Sequence, residues 1–147
     1  MPAVYVFLLR PRQDGAVQVL LQLRQGTGYR DGHWAAAAAG HVERGETVHQ
    51  AAHREAAEEL GLHDLKLEPW CTMQRTNATG LAVDERVDYF FTCVRWSGTP
   101  SVREPTKSAG LGWYDLTDLP VPVVPHEGQV LDTIRAGSTE PIVTYGF

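Results

Sequence analysis

Residues 40–62 read GHVERGETVHQAAHREAAEELGL, and this stretch contains the clearest helix of the sequence. Thr47–Leu60 is rich in Ala, Glu and Gln and contains no Gly or Pro. Gly61 follows in the position where helices usually end. The pattern predicts a helix over Thr47–Leu60. Gly40 and Gly45 precede it and predict a loop that turns tightly or approaches a ligand closely.

Three carboxylates of this helix, at Glu55, Glu58 and Glu59, stand at i, i+3 and i+4 and so share one side within a single turn. Glutamates on a helix usually form a solvated face, but this side carries the apolar Val48 and Ala52 one or two turns earlier. Like charges on a partly buried arc repel each other, and a multivalent cation would neutralise them. Hard oxygen ligands without a thiolate favour Mg²⁺ or Mn²⁺ over zinc.

His49 and His53 support a competing hypothesis, a zinc site, because they stand at i and i+4 on the same helix. The segment differs by one letter from the H-E-x-x-H motif of metallopeptidases. That letter is the catalytic one, since Gln50 cannot act as a carboxylate base. The two histidines also lie on a different side of the helix from the three glutamates, so an exposed histidine pair is favoured.

The stretch resembles the Nudix box, G-x5-E-x7-R-E-U-x-E-E-x-G-U, in which U is a bulky aliphatic residue. The matching positions are Gly40, Glu46, Arg54, Glu55, Glu58, Glu59, Gly61 and Leu62. The first U position holds Ala56, which is smaller than usual. So many fixed letters would rarely recur by chance in a chain of 147 residues. The sequence is therefore identified as similar to the Nudix hydrolases.

The resemblance implies an enzyme that uses Mg²⁺ or Mn²⁺ and in which water attacks a phosphorus of a nucleoside diphosphate linked to another group. Glu58 and Glu59 would be the principal metal ligands, and Glu55 would be a ligand or the base that activates water. Arg54 would belong to the catalytic set through a supporting ion pair with Glu46. A non-catalytic nucleotide-sensing or partner-binding module is the alternative, although such modules usually lose a box carboxylate.

Further metal ligands are expected outside the helix. The resemblance implies a backbone carbonyl just before the box glycine, here that of Ala39, where relatives commonly have glycine. It also implies one more carboxylate from a loop before the last core strand. Glu104 is the candidate, and Glu85, which precedes another strand, competes with it.

Substrate contacts are predicted from residue type. Arg24 and Lys107 are candidates for phosphate contacts, and Trp34 and Tyr89 for stacking on a base. Alternation places Tyr89 and Phe90 on opposite faces of a strand, and the pattern leaves open which face belongs to the core. The favoured substrate is a small nucleotide, foremost a (deoxy)nucleoside triphosphate.

The fold class is predicted from the order of elements. Strands are predicted over Val4–Leu9, Val17–Leu23, Trp34–Ala39, Trp70–Thr76, Val87–Trp96 and Leu111–Tyr114, and a second helix over Glu127–Ile134 that ends at Gly137. Strands on both sides of a central helix indicate a mixed α/β protein. Together with the resemblance they predict an α/β/α sandwich with a mixed central sheet, as a single domain over residues 1–147.

Composition limits which binding partners and which cellular compartment are expected. A net charge of -5 argues against a stable complex with nucleic acid but not against a nucleotide bound through metal ions. The apolar run Val4–Leu9 is too short to span a membrane and lacks the features of a signal peptide. Cys71 and Cys93 are expected to be reduced. We therefore expect a cytoplasmic protein, and a homodimer would be consistent with the family.

Overall fold

The structure, a computed structural model, describes residues 1–147 as a mixed sheet flanked by two helices. The strands are β1 (Pro2–Pro11), β2 (Val17–Arg24), β3 (Trp34–Ala36), β4 (Ala38–His41), β5 (Leu67–Arg75), β6 (Arg86–Cys93), β7 (Ser108–Asp115) and β8 (Ile142–Tyr145). The helices are α1 (Val48–Leu60) and α2 (Pro125–Ala136), and a 3-10 turn covers Ala82–Asp84.

Two apolar clusters hold the helices on opposite faces of the sheet. Along β1, Val4, Val6 and Leu8 belong to the cluster that packs on α1, whereas Phe7 and Leu9 belong to the cluster that packs on α2. Because both faces are covered, this strand is apolar along most of its length instead of alternating with polar residues. The predicted α/β/α sandwich with a mixed sheet is confirmed.

The sheet divides at β1, and this division creates the cleft of the protein. The first half of β1 pairs with β4 on one edge and with β6 on the other, whereas Leu9–Pro11 pairs with β2. Strand β2 then continues the sheet to β3 and β7. Residues of β1, β2 and β4 line a cleft of about 590 Å³ between the two parts.

The predicted strand Trp34–Ala39 is instead two strands, β3 and β4, separated at Ala37. Strand β3 pairs with β2 and β4 pairs with β1, so the two parts of the divided sheet take one strand each. A run of alanines carries no pattern that marks such a break. Gly40 consequently lies in β4, and its placement in a loop was wrong.

Other predicted strands differ from the structure at their ends. Strand β6 ends at Cys93, because its partner β5 begins at Leu67, the residue opposite Cys93. Strand β8 was not predicted; it is a short edge strand parallel to β5, and Ile142 within it is exposed. A four-residue edge strand buries too little surface to leave a strong pattern in the sequence.

Both predicted helices are present. Helix α1 begins after Thr47, whose hydroxyl accepts a hydrogen bond from the Gln50 backbone, while the Gln50 side chain accepts from the Thr47 backbone. It ends at Gly61, which adopts a φ of 71° that suits glycine. Helix α2 begins at Pro125, slightly before the predicted start, and ends at Gly137 as expected.

The remaining expectations concern the cysteines and the membrane. Cys71 lies in β5 and Cys93 in β6; both are buried and neither forms a disulfide. At 13 and 12 residues, α1 and α2 fall short of the length and apolarity that a membrane-crossing helix needs.

Candidate active site

The cleft between the two parts of the sheet brings together residues that are distant in the sequence. Of the predicted site residues, it is lined by Arg24, Ala39, Glu59, Glu104 and Lys107. Several residues that the sequence did not single out line it too, namely Tyr5, Gln22, His41, Arg75, Arg86, His126 and Glu127. Acidic and basic groups therefore share one cavity, as an anionic substrate bound through cations requires.

Glu55 is buried where α1 crosses β4, and its carboxylate rests on Gly40. A β-carbon on Gly40 would lie 2.2 Å from Glu55 Oε1, so only glycine leaves room for the acid in this position. Burial raises the pKa of Glu55, and the neighbouring Arg54 opposes this rise. A carboxylate of this kind binds a proton or a cation more readily than an exposed one.

Glu59 is held by the edge strand beside it. Its Oε2 accepts a hydrogen bond of 2.9 Å from the backbone N–H of Ala39. Burial raises the pKa of Glu59, and the nearby carboxylates of Glu55 and Glu104 raise it further. These groups are close enough for their negative charges to repel one another.

Arg54 links the loop before α1 to the acids on α1. Its Nε and Nη2 donate to the two oxygens of Glu46, at 2.8 and 3.0 Å, in a bidentate pair. Its Nη1 donates to Glu55 Oε1 at 2.8 Å and lies 3.2 Å from Glu58 Oε2. Nη2 also donates to the His41 carbonyl, which ties the helix to β4. One guanidinium thus holds three carboxylates and a strand in register.

Glu58 differs from the other two acids of α1. The sequence placed all three on a partly buried arc, but the Glu58 side chain is 55% exposed and faces Arg54. The buried residues of α1 are Ala51, Ala52, Glu55, Ala56 and Leu60, so Glu58 lies at the margin of the arc that packs on the sheet. As arranged, no three acidic, imidazole or thiol groups surround a common point at metal-ligand spacing.

The structure brings Glu104, and not Glu85, next to the acids of α1. The backbone N–H groups of Ser101 and Arg103 donate to the carbonyls of Leu60 and Glu59, so the loop before β7 follows the end of the helix. Glu104 lies in this loop and forms an ion pair with Lys107, with 3.2 Å between Nζ and Oε2. Glu85 lies outside the cleft and accepts a hydrogen bond from Thr76.

Two of the four predicted substrate contacts line the cleft and two do not. Arg24 and Lys107 line the cleft, although Arg24 also donates to the Tyr29 carbonyl. Trp34 does not line it, because its ring packs edge-on against Tyr114 in the cluster under α2. Tyr89 packs against the cluster under α1, and Phe90 lies in the other cluster. Both faces of β6 are therefore core, which the sequence left open.

His49 and His53 are both exposed on the outer side of α1. The ring of His49 packs edge-on against Phe91, 5.1 Å between ring centroids. Neither histidine lines the cleft, and no third ligand joins them. The exposure of both side chains agrees with the sequence-based preference for an exposed histidine pair.

A polar group at the floor of the cleft was missed by the sequence analysis. Glu127 is 3% exposed, its Oε1 accepts from the Ala36 N–H at 2.7 Å, and burial raises its pKa to about 7. His126 lies 3.2 Å from the Tyr5 hydroxyl, and burial lowers its pKa to about 3, so its ring is neutral. Below them Arg75 pairs with the buried Asp88 at 2.8 Å.

A sequence signal for this group did exist. Arg75 follows Cys71 and Met73 at a spacing of two, and all three face the same side of β5. Asp88 stands in the same relation to Phe90 on β6. A charged residue that interrupts an apolar face indicates either a buried ion pair or a site.

Comparison with known proteins identifies the family. The family model described as NUDIX domain matches residues 1–134. The chain belongs to the Nudix hydrolase family. A crystal structure of a MutT NUDIX hydrolase from Burkholderia pseudomallei is similar to this Nudix hydrolase at 28% identity and a TM-score of 0.75, over 91% of this chain and 98% of that one.

Two further solved structures share the fold. The NUDIX domain of NrtR from Shewanella oneidensis, complexed with ADP ribose, is 21% identical with a TM-score of 0.74, over 93% of this chain and 87% of that one. An Ap4A hydrolase from C. elegans is 23% identical with a TM-score of 0.65, over 92% and 96%. At these identities the likeness concerns the fold alone. No functionally curated protein matches the sequence significantly.

Proposed function

We propose that this Nudix hydrolase is a magnesium-dependent pyrophosphohydrolase that cleaves a nucleoside diphosphate linked to another group, foremost a (deoxy)nucleoside triphosphate. The observation that carries the proposal is a pair of neighbouring carboxylates beside the cleft. Glu55 is buried against Gly40, and the half-buried Glu59 lines the cleft together with Arg24 and Lys107. ADP ribose and Ap4A, named with two structural neighbours, both contain a nucleoside diphosphate joined to a further group.

The residues present fit a Mg²⁺ ion. Glu55 and Glu59 have raised pKa values because they are buried, and Glu104 adds a third negative charge nearby. A divalent cation would relieve this repulsion, and oxygen ligands of this type suit Mg²⁺ or Mn²⁺. Gly40 leaves open the space in which the Glu55 carboxylate lies.

The backbone of Ala39 supports its proposed role as a further ligand. Its N–H donates to Glu59 and not to β1. Because the N–H and C=O of one strand residue point to the same edge, the Ala39 carbonyl also faces the acids of α1. Ala39 has no positive φ, so the β-carbon that replaces the usual glycine causes no backbone strain.

The side chains of the site would each have a separate role in the reaction. Glu55, held by Arg54, accepts the proton of the attacking water, for which its raised pKa suits it. The water oxygen bonds to phosphorus while the bridging P–O bond breaks, and the leaving phosphate or nucleotide takes the bond electrons. Bound Mg²⁺ would stabilise the charge on the phosphate oxygens and lower the pKa of the attacking water. Glu58 and Glu59 would hold the ion.

The test is a panel of nucleoside triphosphates and nucleoside diphosphate derivatives incubated with Mg²⁺, with released phosphate and pyrophosphate measured separately. We expect hydrolysis at moderately alkaline pH that stops in excess chelator and returns with Mg²⁺ or Mn²⁺. Full turnover in chelator would contradict the metal dependence. Binding without turnover across the whole panel would instead favour a nucleotide-sensing module.

A further inference from the structure

Two arginines stand directly opposite each other at the end of the cleft away from α1. Arg75 on β5 and Arg86 on β6 form the last pair of the β5–β6 ladder, and both line the cleft. Like charges directly opposite on neighbouring strands destabilise a sheet. A negatively charged group bound beside the two arginines would therefore stabilise this end of the sheet.

The protein neutralises only one of them. The Nε of Arg75 donates to the buried Asp88 at 2.8 Å, and this is the only hydrogen bond of the Arg75 side chain, so its Nη groups have no protein acceptor. Arg86 forms no ion pair and its side chain donates to no protein group. Asp84 also lines the cleft, but its oxygens accept from Thr79 and Asn77.

The arginine pair lies at a distance from the acids of α1. His41 on β4 and Asp88 on β6 both pair with Ala3 of β1, so β4 and β6 are separated by two strand spacings, about 10 Å. Glu55 and Glu59 contact β4 at Gly40 and Ala39. The strand that carries Arg86 is thus separated by the whole of β1 from the strand that these acids contact.

We propose that Arg75 and Arg86 form a second anion site, which binds a phosphomonoester group of the substrate remote from the scissile anhydride. The inference deepens the proposed function and rests on it for the position of the scissile bond. Guanidinium groups suit this role because their planar donors match phosphate oxygens. The preferred substrates are then nucleotides that carry an additional phosphomonoester, for example on the ribose.

The test measures binding without turnover. Calorimetry in metal-free buffer compares AMP with adenosine 2′,5′-bisphosphate and adenosine 3′,5′-bisphosphate, on the wild-type protein and on the Arg86→Gln and Arg95→Gln variants. Arg95 is the matched control, because it is exposed, lies outside the cleft and forms no ion pair. We expect at least one bisphosphate to bind the wild type about 10- to 100-fold more tightly than AMP does.

In Arg86→Gln this preference should fall close to one, whereas Arg95→Gln should keep it. The melting temperature of Arg86→Gln should equal or exceed that of the wild type, because a like-charge pair is removed. An unchanged preference in Arg86→Gln would overturn the proposal, and so would a lower melting temperature, which would show a structural role. Equal binding of AMP and both bisphosphates to the wild type would overturn it as well. Because no hydrolysis is measured, a failure of the proposed catalytic function would appear in the substrate panel and not here.

Discussion

The Glu55 carboxylate lies so close to Gly40 that a β-carbon there would come within 2.2 Å of Oε1. Gly40 has no positive φ, so its requirement for glycine comes from the acid and not from the backbone. We expect Gly40→Ala to displace the carboxylate and to lower kcat about a hundredfold, since small misplacements of a reacting group have effects of this size. Steady-state kinetics with the preferred nucleotide measures the change.

Stability should change little in Gly40→Ala, because the displaced atoms are the end of a side chain. Gly128→Ala, within α2, is a suitable control. The added β-carbon would lie 3.7 Å from the Val123 side chain, which is an ordinary van der Waals distance. That variant should keep full activity and gain about 0.5–1 kcal/mol in unfolding free energy. Normal kinetics in Gly40→Ala would show that the position of Glu55 does not matter for catalysis.

The Arg54–Glu46 pair should depend on the shape of the guanidinium as well as on its charge. Lysine keeps the charge but cannot donate to both oxygens of Glu46 while also reaching Glu55. We expect Arg54→Lys to lower kcat/KM about 10- to 100-fold, the size typical of residues that orient metal ligands. Arg44→Lys, on the exposed part of the same loop, should show wild-type kinetics. Equal kinetics for the two variants would contradict the proposed brace.

Substitution of Glu59 should change the stability of the protein, whereas substitution of Glu58 should not, although both residues are expected to be needed for turnover. The pKa of Glu59 is raised by burial above that of the unfolded chain, so its contribution to stability is present at low pH and is lost as pH rises. In metal-free buffer, Glu59→Gln should therefore melt higher than the wild type at pH 8 but not at pH 4. Glu58 is mostly exposed, and Glu58→Gln should melt like the wild type at both values.

Differential scanning fluorimetry at the two pH values measures these shifts, and released phosphate measures turnover. Both variants should have lost hydrolysis while they remain folded. Unfolding of Glu59→Gln at neutral pH would mean that the carboxylate is structural. Substantial turnover in either variant would remove that residue from the proposed ligand set.

Glu127 should make the protein less stable as pH rises towards neutrality. Its pKa is raised from 4.5 to about 7 by burial, a shift worth about 3 kcal/mol. This stability is fully present below pH 4.5 and is lost as pH rises through 7. Glu127→Gln keeps the acceptor for the Ala36 N–H and should remove the loss. Urea denaturation of both proteins at pH 4.5, 6 and 7.5 tests this.

The comparison of the two proteins isolates Glu127 from its neighbour. The pKa of His126 is lowered to about 3 by burial, so His126 adds stability as pH rises towards 6.5, with the opposite sign. That contribution is common to both proteins and cancels in the difference. An equal pH dependence for the wild type and Glu127→Gln would show that Glu127 stays ionised in the fold.

The sequence alone was sufficient for the family and for both helices, and it placed Glu55, Glu58 and Glu59 within one turn of α1. Thr47 and Gly61 mark the ends of α1 through local hydrogen bonds and backbone conformation, and local effects of this kind can be read from neighbouring residues. The box pattern combines charged residues and glycines at a fixed spacing, which is also local information. For the same reason the choice between Glu104 and Glu85 stayed open, because it depends on where a distant loop lies.

Only the tertiary structure decided how these residues are arranged. The break between β3 and β4 at Ala37 arises because β3 pairs with β2 and β4 pairs with β1. A run of alanines contains no pattern that predicts such a break. The partial burial of Glu59 and the exposure of Glu58 depend on the contact between α1 and β4. The cleft joins these acids to Arg75 and Arg86 across strands that are distant in the chain. These residues meet because strands that are distant in the sequence pair within one sheet, and both faces of that sheet pack against helices.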